Sequence, residues 1–579
     1  MRKHLRTAVA LLAGALLAAT PSVSASAEPA PSTAAVSAAD PAYKILVFSK
    51  TAGFRHSSIG NGIAAFRELG AANNFTVDAT EDANAFTGGN LAQYRAVVFL
   101  STTGDVLNGT QQTAFEQYIQ GGGGYVGVHA AADTEYDWPF YGGLAGALFQ
   151  SHPAIQPARV KVEDRAHDAT AHLGGAWQRT DEWYNYRTNP RTTAHVLASL
   201  DESSYSGGSM SGDHPISWCK DYQGGRAFYT GGGHTDESYT EPAFRRHLLG
   251  GVRWAAGMTK ADCRPETGYR PLFDGSGTSG WSQAGPGGFT LADGTLTSQG
   301  GLGLLWYSAK EFTGDYSLKV DWKMAGDDNS GIFVGFPASS DPWSAVNNGY
   351  EIQIDATDTP DRTTGSVYGF KSADLTARDA ALNPPGEWNT YELRVTGERL
   401  EIFLNGRKIN DFTNTDPARS LAQGHIGLQN HGDGDDVSFR NVRIKESGTP
   451  SGPRTGPVKG VNGKCLDVKG GATADGTQIQ IWTCNGSAAQ TWTVPGDNTL
   501  RALGKCLDVN GGGTADGTKI QLWTCNGTGA QQWVPQADGT VRNPQSAKCL
   551  DASGSTWNDG TVVHLWTCHT GPNQKWTLP

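Results

Sequence analysis

Two carboxylates and an amide alternate in the segment YEIQID at residues 350–355. Because successive side chains of a strand point to opposite faces, Glu351, Gln353 and Asp355 share one face. Glu351 and Asp355 are separated by about 13 Å of extended backbone, too far for a close acid/base pair unless their side chains converge. One of them is therefore a better partner for His431, in the loop before a later strand. The pattern predicts proton transfer, and the alternative is an ordinary solvated or hydrogen-bonded sheet face.

Histidine is concentrated in residues 43–264, which hold nine of the 14 in the chain. Several of these histidines lie in Gly-rich or Pro-bounded loops near the ends of predicted strands, where open α/β sheets bind ligands. We expect a pocket for a divalent metal ion or a sugar here. Its candidate lining residues are His56, His129, Asp133, Glu182, His214, Trp218, Arg226 and His234. The alternative is that the histidines satisfy loop hydrogen bonds, because no HxxxH-type spacing is present.

The C-terminal residues 457–579 repeat one pattern three times. Each copy contains KCLDV or KCLDA, then WTC, then Gln-x-Trp, and its two cysteines are 19 residues apart. Equal spacing in three copies predicts one disulfide within each copy, and a fourth disulfide would leave no free thiol. The predicted pairs are Cys465–Cys484, Cys506–Cys525, Cys549–Cys568 and Cys219–Cys263.

Strands and helices alternate in the N-terminal part of the chain. The apolar runs Lys44–Phe48 and Ala96–Leu100 suit buried parallel strands, and Tyr125–His129 suits a third. Ser58–Leu69 and Gln111–Ile119 have the pattern of helices. This alternation predicts an open α/β sheet.

The middle of the chain changes to short alternating strands separated by Gly, Asp and Asn. Examples are Tyr316–Trp322, Tyr391–Val395 and Val437–Ile444, and Asn405-Gly406 is a hairpin signal between two further strands. The pattern predicts a two-sheet β-sandwich or jelly roll.

The N-terminus has the features of a secretory signal. A basic start precedes the apolar run Thr7–Ala19 and the small-residue site Ala25–Ala27, and the run is too short to span a bilayer comfortably. We therefore expect a secreted, extracellular protein with no membrane partner. The predicted segments are a signal peptide (1–27), a disordered leader (28–42), an α/β domain (43–264), a β-sandwich (268–446), a linker (447–456) and a repeat domain (457–579).

Charge restricts the class of partner. The formal net charge is −11, whereas a nucleic-acid partner would require a basic stripe. We expect no nucleic-acid partner.

The three Gln-x-Trp copies resemble the ricin-B-type lectins, which are β-trefoils. The resemblance implies a polysaccharide or oligosaccharide partner, with galactose- or xylose-type ligands. In each copy an Asp and a polar residue would bind sugar hydroxyls and an aromatic ring would stack on the sugar. The implied residues are Asp467, Gln480, Trp482 and Gln490; Asp508, Gln521, Trp523 and Gln531; and Asp551, His564, Trp566, Asn573 and Gln574. His564 replaces the usual Gln.

Residues 43–256 resemble the trehalose-utilisation (ThuA-like) family, a relative of the class I glutamine amidotransferase fold. The matching pieces are GFRHSSI, GVHAA, HPISW and GRAFYTGGGH. The amidotransferase nucleophile is a cysteine on a sharp turn, and His129 occupies that position here, so we expect no glutaminase activity.

Residues 270–446 resemble the 3-keto-disaccharide hydrolase family, a concanavalin-like jelly roll, through LFDG, NSGIFVG, GYEIQID, GEWNTY and GHIGLQNHG. The resemblance implies hydrolysis or lysis of 3-keto-glycosides. Glu351 would be the acid/base residue, supported by Asp355, and His431 the second proton-transfer group. Asn329, Trp388 and Arg440 are candidates to hold the sugar, and Asp433, Asp435 and Asp436 either bind calcium or form an acidic turn. The alternative function is a non-catalytic extracellular glycan-binding protein.

Overall fold

The computed structural model describes residues 39–446, 454–495, 498–536, 539–554 and 557–579. The predicted signal peptide, leader residues 28–38 and linker residues 447–453 lie outside the described residues. No helix in the described ranges is long and apolar enough to cross a membrane.

The first domain is an α/β sheet with helices on both faces. In chain order its strands are β1 (Tyr43–Phe48), β2 (Phe75–Thr80), β3 (Ala96–Leu100), β4 (Gly124–Val128), β5 (Phe149–Ser151), β6 (Gln156–Val162), β7 (Ala176–Asp181), β8 (Asn185–Tyr186), β9 (His195–Leu200), β10 (His214–Tyr222) and β11 (Gly225–Thr230). Its helices are α1 (Ile59–Ala72), α2 (Gly88–Leu91), α3 (Gly109–Gln120), α4 (Pro139–Ala145) and α5 (Pro242–Ala255).

Nine of these strands form one sheet in the order β2-β1-β3-β4-β11-β10-β9-β6-β7. The strands from β2 to β11 are parallel, and the rest are antiparallel. The predicted strand at Tyr125–His129 ends one residue early, because His129 turns away with φ +49°. The leader was predicted to be disordered up to residue 42, but Asp40 pairs with Arg253 of α5 at 2.8 Å and so belongs to this domain.

The second domain is a sandwich of two antiparallel sheets, as the sequence predicts. Its strands are β12 (Arg270–Phe273), β13 (Trp281–Ala284), β14 (Gly288–Ala292), β15 (Thr295–Gln299), β16 (Gly303–Tyr307), β17 (Phe312–Thr313), β18 (Tyr316–Met324), β19 (Asn329–Phe336), β20 (Tyr350–Asp355), β21 (Asn389–Thr396), β22 (Arg399–Leu404), β23 (Arg407–Thr413), β24 (Gln423–Asn430) and β25 (Val437–Glu446), with helices α6 (Trp343–Asn348) and α7 (Leu375–Ala381). The larger sheet has the order β14-β15-β25-β18-β21-β22-β23, and the smaller has β13-β16-β24-β19-β20. The Asn405-Gly406 turn joins β22 to β23 with positive φ at both residues, as a tight hairpin requires.

Buried charged groups lie where the first two domains meet, and Lys319 of β18 pairs there with Asp262 of the first domain at 3.0 Å. Arg443 of β25 donates to Asp321 of β18 at 3.1 Å and to both oxygens of Glu266, which lies between the domains. All three side chains are largely or fully buried. Asp164 of the first domain, paired with His195 at 2.8 Å, also acts on the pKa of Arg443. The two domains therefore share a charged, water-poor seam.

The third domain is a β-trefoil with three lobes. Its strands are β26 (Arg454–Gly456), β27 (Cys465–Val468), β28 (Thr477–Trp482), β29 (Trp492–Val494), β30 (Arg501–Ala502), β31 (Lys505–Val509), β32 (Ile520–Trp523), β33 (Val534–Pro535), β34 (Val541–Asn543), β35 (Lys548–Ala552) and β36 (Val563–Trp566). Lobe one contains β27 and β28, lobe two β31 and β32, and lobe three β35 and β36. The predicted linker ends earlier than residue 456, because β26 pairs with β29. All four predicted disulfides are present.

One aspartate from each lobe clamps the next lobe. Its carboxylate accepts hydrogen bonds from a lysine and from the backbone N–H of the Thr in the next WTC segment. The three clamps are Asp475 with Lys505 and Thr524, Asp516 with Lys548 and Thr567, and Asp559 with Lys464 and Thr483. The third clamp returns to lobe one, so the lobes form a closed ring.

Candidate functional site

The outer face of the smaller sandwich sheet carries the alternating residues of β20. In the register of β19 and β20, Glu351 lies opposite Phe333, Gln353 opposite Gly331, and Asp355 opposite Asn329. The arrangement puts Glu351 at one end of a polar row and Asp355 at the other, about 13 Å away along the strand.

Glu351 is a buried carboxyl group without a charged partner among the described contacts. Its side chain lies over Gly331, where a Cβ atom would collide with the carboxylate. Burial raises the pKa of Glu351 to about 8, partly opposed by a hydrogen bond from Gln429. The group is therefore suited to proton transfer near neutral pH.

Amides and aromatic rings surround Glu351. Among the described residues, Glu351 Oε1, Gln353 Oε1 and Gln429 Oε1 are buried and have no hydrogen-bond partner. Trp306 and Phe333 belong to a small apolar cluster separate from the main sandwich core. Gln429 and this cluster were not predicted from the sequence, although Gln429 alternates with Gly427 in GHIGLQNHG as Gln353 does with Glu351.

Asp355 and His431 lie at the far end of the row. Asn329 Nδ2 donates to Asp355 at 2.9 Å, and the Asn329 backbone N–H donates to Asp435 at 2.9 Å. His431 Nδ1 is 2.9 Å from the other Asp435 oxygen. The structure thus brings Asp355, Asn329 and His431 together through Asp435 and places Glu351 apart from them.

The acidic loop before β25 has its hydrogen bonds within the fold. Asp435 is engaged by His431 and Asn329, and the backbone of Asp436 donates to Asp328. Within the described part of the chain, Asp433, Asp435 and Asp436 do not bring their oxygens close enough together to form a candidate cation site. The arrangement favours the acidic turn over the calcium site.

Trp388 and Arg440 are remote from Asn329, contrary to the expectation of a shared sugar site. Arg440 lies on β25 of the larger sheet and stacks on Trp388, with 3.6 Å between the guanidinium carbon and the ring centroid. Burial lowers the pKa of Arg440 to about 9, partly opposed by Asp321. Because the larger sheet faces the first domain here, these residues belong to the seam.

Four of the predicted pocket residues in the first domain converge. His56 follows β1, His129 follows β4, Glu182 follows β7 and His234 follows β11. One ligand atom from each lies within 4.8 Å of the others. His129 Nε2 is 3.1 Å from His234 Nδ1, and Glu182 Oε2 is 3.1 Å from His234 Nδ1 and 3.5 Å from His129 Nε2. This group is called the histidine cluster below.

Burial and the neighbouring side chains shift the pKa values of the cluster residues in different directions. Burial, reinforced by His129 and His234, lowers the pKa of His56 to about 3. Burial alone would lower the pKa of His234, but the hydrogen bond and charge of Glu182 raise it. Burial would raise the pKa of Glu182, but hydrogen bonds from His129 and His234 lower it far below its usual range.

The other predicted pocket residues lie outside the cluster. Arg226 lies at the opposite end of β11 from His234, and Trp218 is a core residue whose indole N–H donates to Ala145 O. His214 is buried, and its two ring nitrogens contact Glu202 and the carbonyl oxygen of Tyr184 and not the cluster residues. Asp133 accepts a hydrogen bond from Tyr136. His152 was not predicted to line the pocket, yet its Nδ1 is 3.0 Å from Glu182 Oε1.

Each of the three lobes of the trefoil carries one exposed tryptophan at the equivalent position. Trp482, Trp523 and Trp566 are 39%, 37% and 40% exposed, whereas the tryptophans of the Gln-x-Trp segments are buried. In lobe one, Asp467, Gln480, Trp482 and the unpredicted Asn485 line a cavity of about 630 Å³. The exposed tryptophan ring can stack on the face of a sugar, and the sugar hydroxyls can donate hydrogen bonds to the neighbouring carboxylate oxygens.

The predicted glutamines of the lobes divide into two kinds. Gln480 and Gln521 pair with Asp467 and Asp508 on the strand surface. Gln490, Gln531 and Gln574 are at most 2% exposed, and each donates to the aspartate from behind. They therefore orient the aspartates without facing the depression. In lobe three, His564 and Asn573 both contact Asp551 at 2.9 Å.

Three family models match consecutive parts of the chain. Residues 44–255 match the trehalose utilisation (ThuA) family, residues 268–445 the 3-keto-alpha-glucoside-1,2-lyase-like domain, and residues 454–576 the ricin-type beta-trefoil lectin domain. The chain carries these three domains in this order.

Individual relatives each match one part of the chain. A 3-keto-disaccharide hydrolase of Bacteroides thetaiotaomicron is 25% identical over 31% of this chain and 78% of its own length. A glucan endo-1,3-beta-glucosidase of Cellulosimicrobium cellulans is 51% identical, over only 10% of this chain and 11% of that enzyme. The crystal structure of a ThuA-like protein from Bacteroides uniformis is 27% identical and covers 37% of this chain and 92% of its own, with a TM-score of 0.33. A hydrolase-like domain and a lectin domain together make this a carbohydrate-directed protein.

Proposed function

We propose that the protein is a secreted enzyme that cleaves 3-keto-glycosides in its lyase-like domain and is held on polysaccharide by its lectin domain. The observation that carries the proposal is the buried, raised-pKa carboxyl of Glu351, flanked by amides with unpaired oxygens. Export is supported by four disulfides and by the N-terminal segment.

The chemistry starts from the acidity that a C3 ketone gives to the neighbouring C2–H bond. The Glu351 carboxylate removes the C2 proton, the C1–O bond breaks, and a C1=C2 double bond forms. The proton then passes to the leaving glycosidic oxygen, and addition of water across the double bond completes hydrolysis. A base with a pKa of about 8 accepts this proton more readily than an ordinary carboxylate. The amide groups of Gln353 and Gln429 each use one N–H bond within the fold, to Asn329 and Glu351, and the second N–H of each could donate to the enolate oxygen.

Asp355 and His431 serve a second purpose in this proposal. Asp355 lies about 13 Å from Glu351 along the strand, a distance that suits contact with a different part of a disaccharide. Because the leaving oxygen is bonded to C1, next to C2, its proton comes from Glu351, and the exposed His431, held by Asp435, would bind a hydroxyl of the leaving sugar.

The decisive assay is product analysis of the purified protein on 3-keto-disaccharides and on the matching plain disaccharides. We expect cleavage of the keto substrates alone, because only they have an acidified C2–H bond. The rate should rise with pH and level off above about pH 8, as Glu351 ionises. If no keto-glycoside is cleaved at any pH, the proposed activity is wrong. The alternative is then a non-catalytic glycan-binding protein, which the three exposed tryptophans of the lectin domain support.

Retention on polysaccharide tests the role assigned to the lectin domain. The variant W482A/W523A/W566A should be retained on immobilised galactose at least about tenfold more weakly, because each ring contributes roughly 0.5–1.5 kcal/mol of stacking. These exposed rings give a cleaner test than the buried aspartates, whose removal would leave glutamine amides unpaired.

The matched control is L291A, which removes a similarly exposed apolar side chain from the middle domain. It should be retained like the wild type, and both variants should cleave soluble substrate at the wild-type rate. Unchanged retention of a folded triple variant would remove these rings from the sugar sites.

A further inference from the structure

We propose that the histidine cluster of the ThuA domain binds a divalent first-row transition-metal ion. His56, His129 and His234 would supply imidazole nitrogens and Glu182 one carboxylate oxygen. One ligand atom from each lies within 4.8 Å of the others, which is the spacing of atoms around a shared ion of this kind. The site is separate from the sandwich face and from the lobes of the trefoil.

Four separate loops bring these side chains together. Each ligand follows the carboxyl end of a different sheet strand, β1, β4, β7 or β11. His129 reaches the centre only through a positive φ of +49°, which strains a non-glycine residue by about 1–3 kcal/mol. Strained backbone conformations of this kind are common at functional sites, and here the conformation directs the imidazole of His129 toward the other three ligands.

Hydrogen bonds to the outward-facing atoms of the ligand side chains determine which nitrogen or oxygen faces the cluster. His129 Nδ1 is 3.0 Å from the carbonyl oxygen of Gly231. Because a carbonyl only accepts, Nδ1 carries a proton, so Nε2 is the nitrogen that faces the cluster and would bind the ion in place of a proton. His152 engages Glu182 Oε1 at 3.0 Å and leaves Oε2 facing the histidines.

The loop that carries His234 is fixed in a similar way. The backbone N–H groups of Gly233 and His234 donate to the two oxygens of Asp181, at 2.8 and 3.0 Å. Asp181 is fully buried and immediately precedes Glu182, so one segment supplies a ligand and anchors another. This second layer of hydrogen bonds is the usual support of a metal centre.

The donor set determines the class of ion. Three imidazoles and one carboxylate suit zinc and its first-row neighbours better than calcium or magnesium, which prefer oxygen donors. In the described ranges one other group has ligand-like spacing, His167 with Cys219 and Cys263. That group is excluded because its two sulfurs form a disulfide.

The cluster borders a solvent-accessible rim. Phe54 is 68% exposed and packs edge-on against His56, with ring centroids 4.9 Å apart. His152 is also partly exposed. An ion here would act as a Lewis acid on an oxygen of a small polar ligand that stacks on Phe54.

Metal binding by the full-length, tag-free protein tests the site. The protein is stripped with a chelator, kept free of reductant so that Cys219–Cys263 stays oxidised, and titrated with Zn²⁺ against a chromophoric competitor. We expect one tight equivalent, and Co²⁺ should give visible absorption bands from nitrogen ligation. H129Q and E182Q should each weaken binding by about 100-fold, because each removes a ligand.

The control H172Q removes another histidine of the same domain, one that contacts only the carbonyl of Ala243 among the described hydrogen bonds. It should bind Zn²⁺ and Co²⁺ like the wild type. If H129Q does not fold, H56Q replaces it. Absence of a tight equivalent in the wild type, or wild-type binding by folded E182Q and H56Q, would overturn the proposal.

Discussion

The E351Q variant should lose about 10²–10⁴-fold in kcat/KM on a 3-keto-disaccharide, with little change in KM. Glutamine keeps the shape of the side chain over Gly331 but cannot accept the C2 proton. The measurement is steady-state kinetics at pH 8, where about half of the wild-type Glu351 is ionised. The rise of rate with pH should also disappear from the residual activity.

Stability separates this catalytic role from a structural one. Because the pKa of Glu351 is raised from 4.5 to about 8 in the folded protein, the folded state holds its proton more tightly than the unfolded state. The stability that this group contributes is fully present below about pH 4.5, is lost as pH rises through 8, and is then constant. E351Q has no such loss, so it should be more stable than the wild type at pH 9 while being inactive.

The control for this pair of measurements is E401Q. Glu401 lies on the larger sheet in exposed pairs with Arg399 and Lys408, and its replacement should leave kcat/KM unchanged. Wild-type turnover by folded E351Q would remove Glu351 from the mechanism. If E351Q is less stable than the wild type at pH 9, the ionised carboxylate of Glu351 must be stabilised by its surroundings in the folded wild-type protein.

The R443M variant should lose about 3–5 kcal/mol of stability at the seam between the first two domains. Methionine fills part of the volume of Arg443 but leaves Asp321 buried without its paired cation and Glu266 with Lys319 alone. The readout is amide hydrogen exchange of β18 and β25. Protection should fall by about 10²–10⁴-fold, the equivalent of this free energy at 1.36 kcal/mol per factor of ten.

An exposed ion pair provides the comparison. R399M breaks pairs with Glu401 and Asp411 at the surface of the same sheet and should change stability by at most about 1 kcal/mol. Equal protection in R443M and R399M would mean that the seam ions are solvated in solution.

Local patterns predicted much of this fold because they act over short stretches of chain. The Asn405-Gly406 hairpin needs only two residues that tolerate positive φ, and the trefoil disulfides follow from a spacing repeated three times. The shared face of Glu351, Gln353 and Asp355 follows from strand alternation alone. Each of these features is determined within a few tens of residues.

Features that depend on distant segments could not be predicted in this way. Gly331 makes room for Glu351 only through the register of β19 against β20, which the sequence of neither strand fixes. Arg226 and His234 flank the same strand, so proximity in sequence suggested a shared pocket, yet they lie at opposite ends. Arg440 was a candidate sugar ligand, and no local pattern could indicate that it faces the first domain, whose residues are more than 100 positions away in the chain.

The ring of lobe-to-lobe clamps determines how the trefoil fails. Each clamp uses an aspartate from one lobe and a lysine and threonine from the next, so loss of any lobe leaves two clamps half-formed. We therefore expect a module that has lost one lobe to hold its other two less firmly, so that molecules displaying all three sugar sites make up most of the binding population.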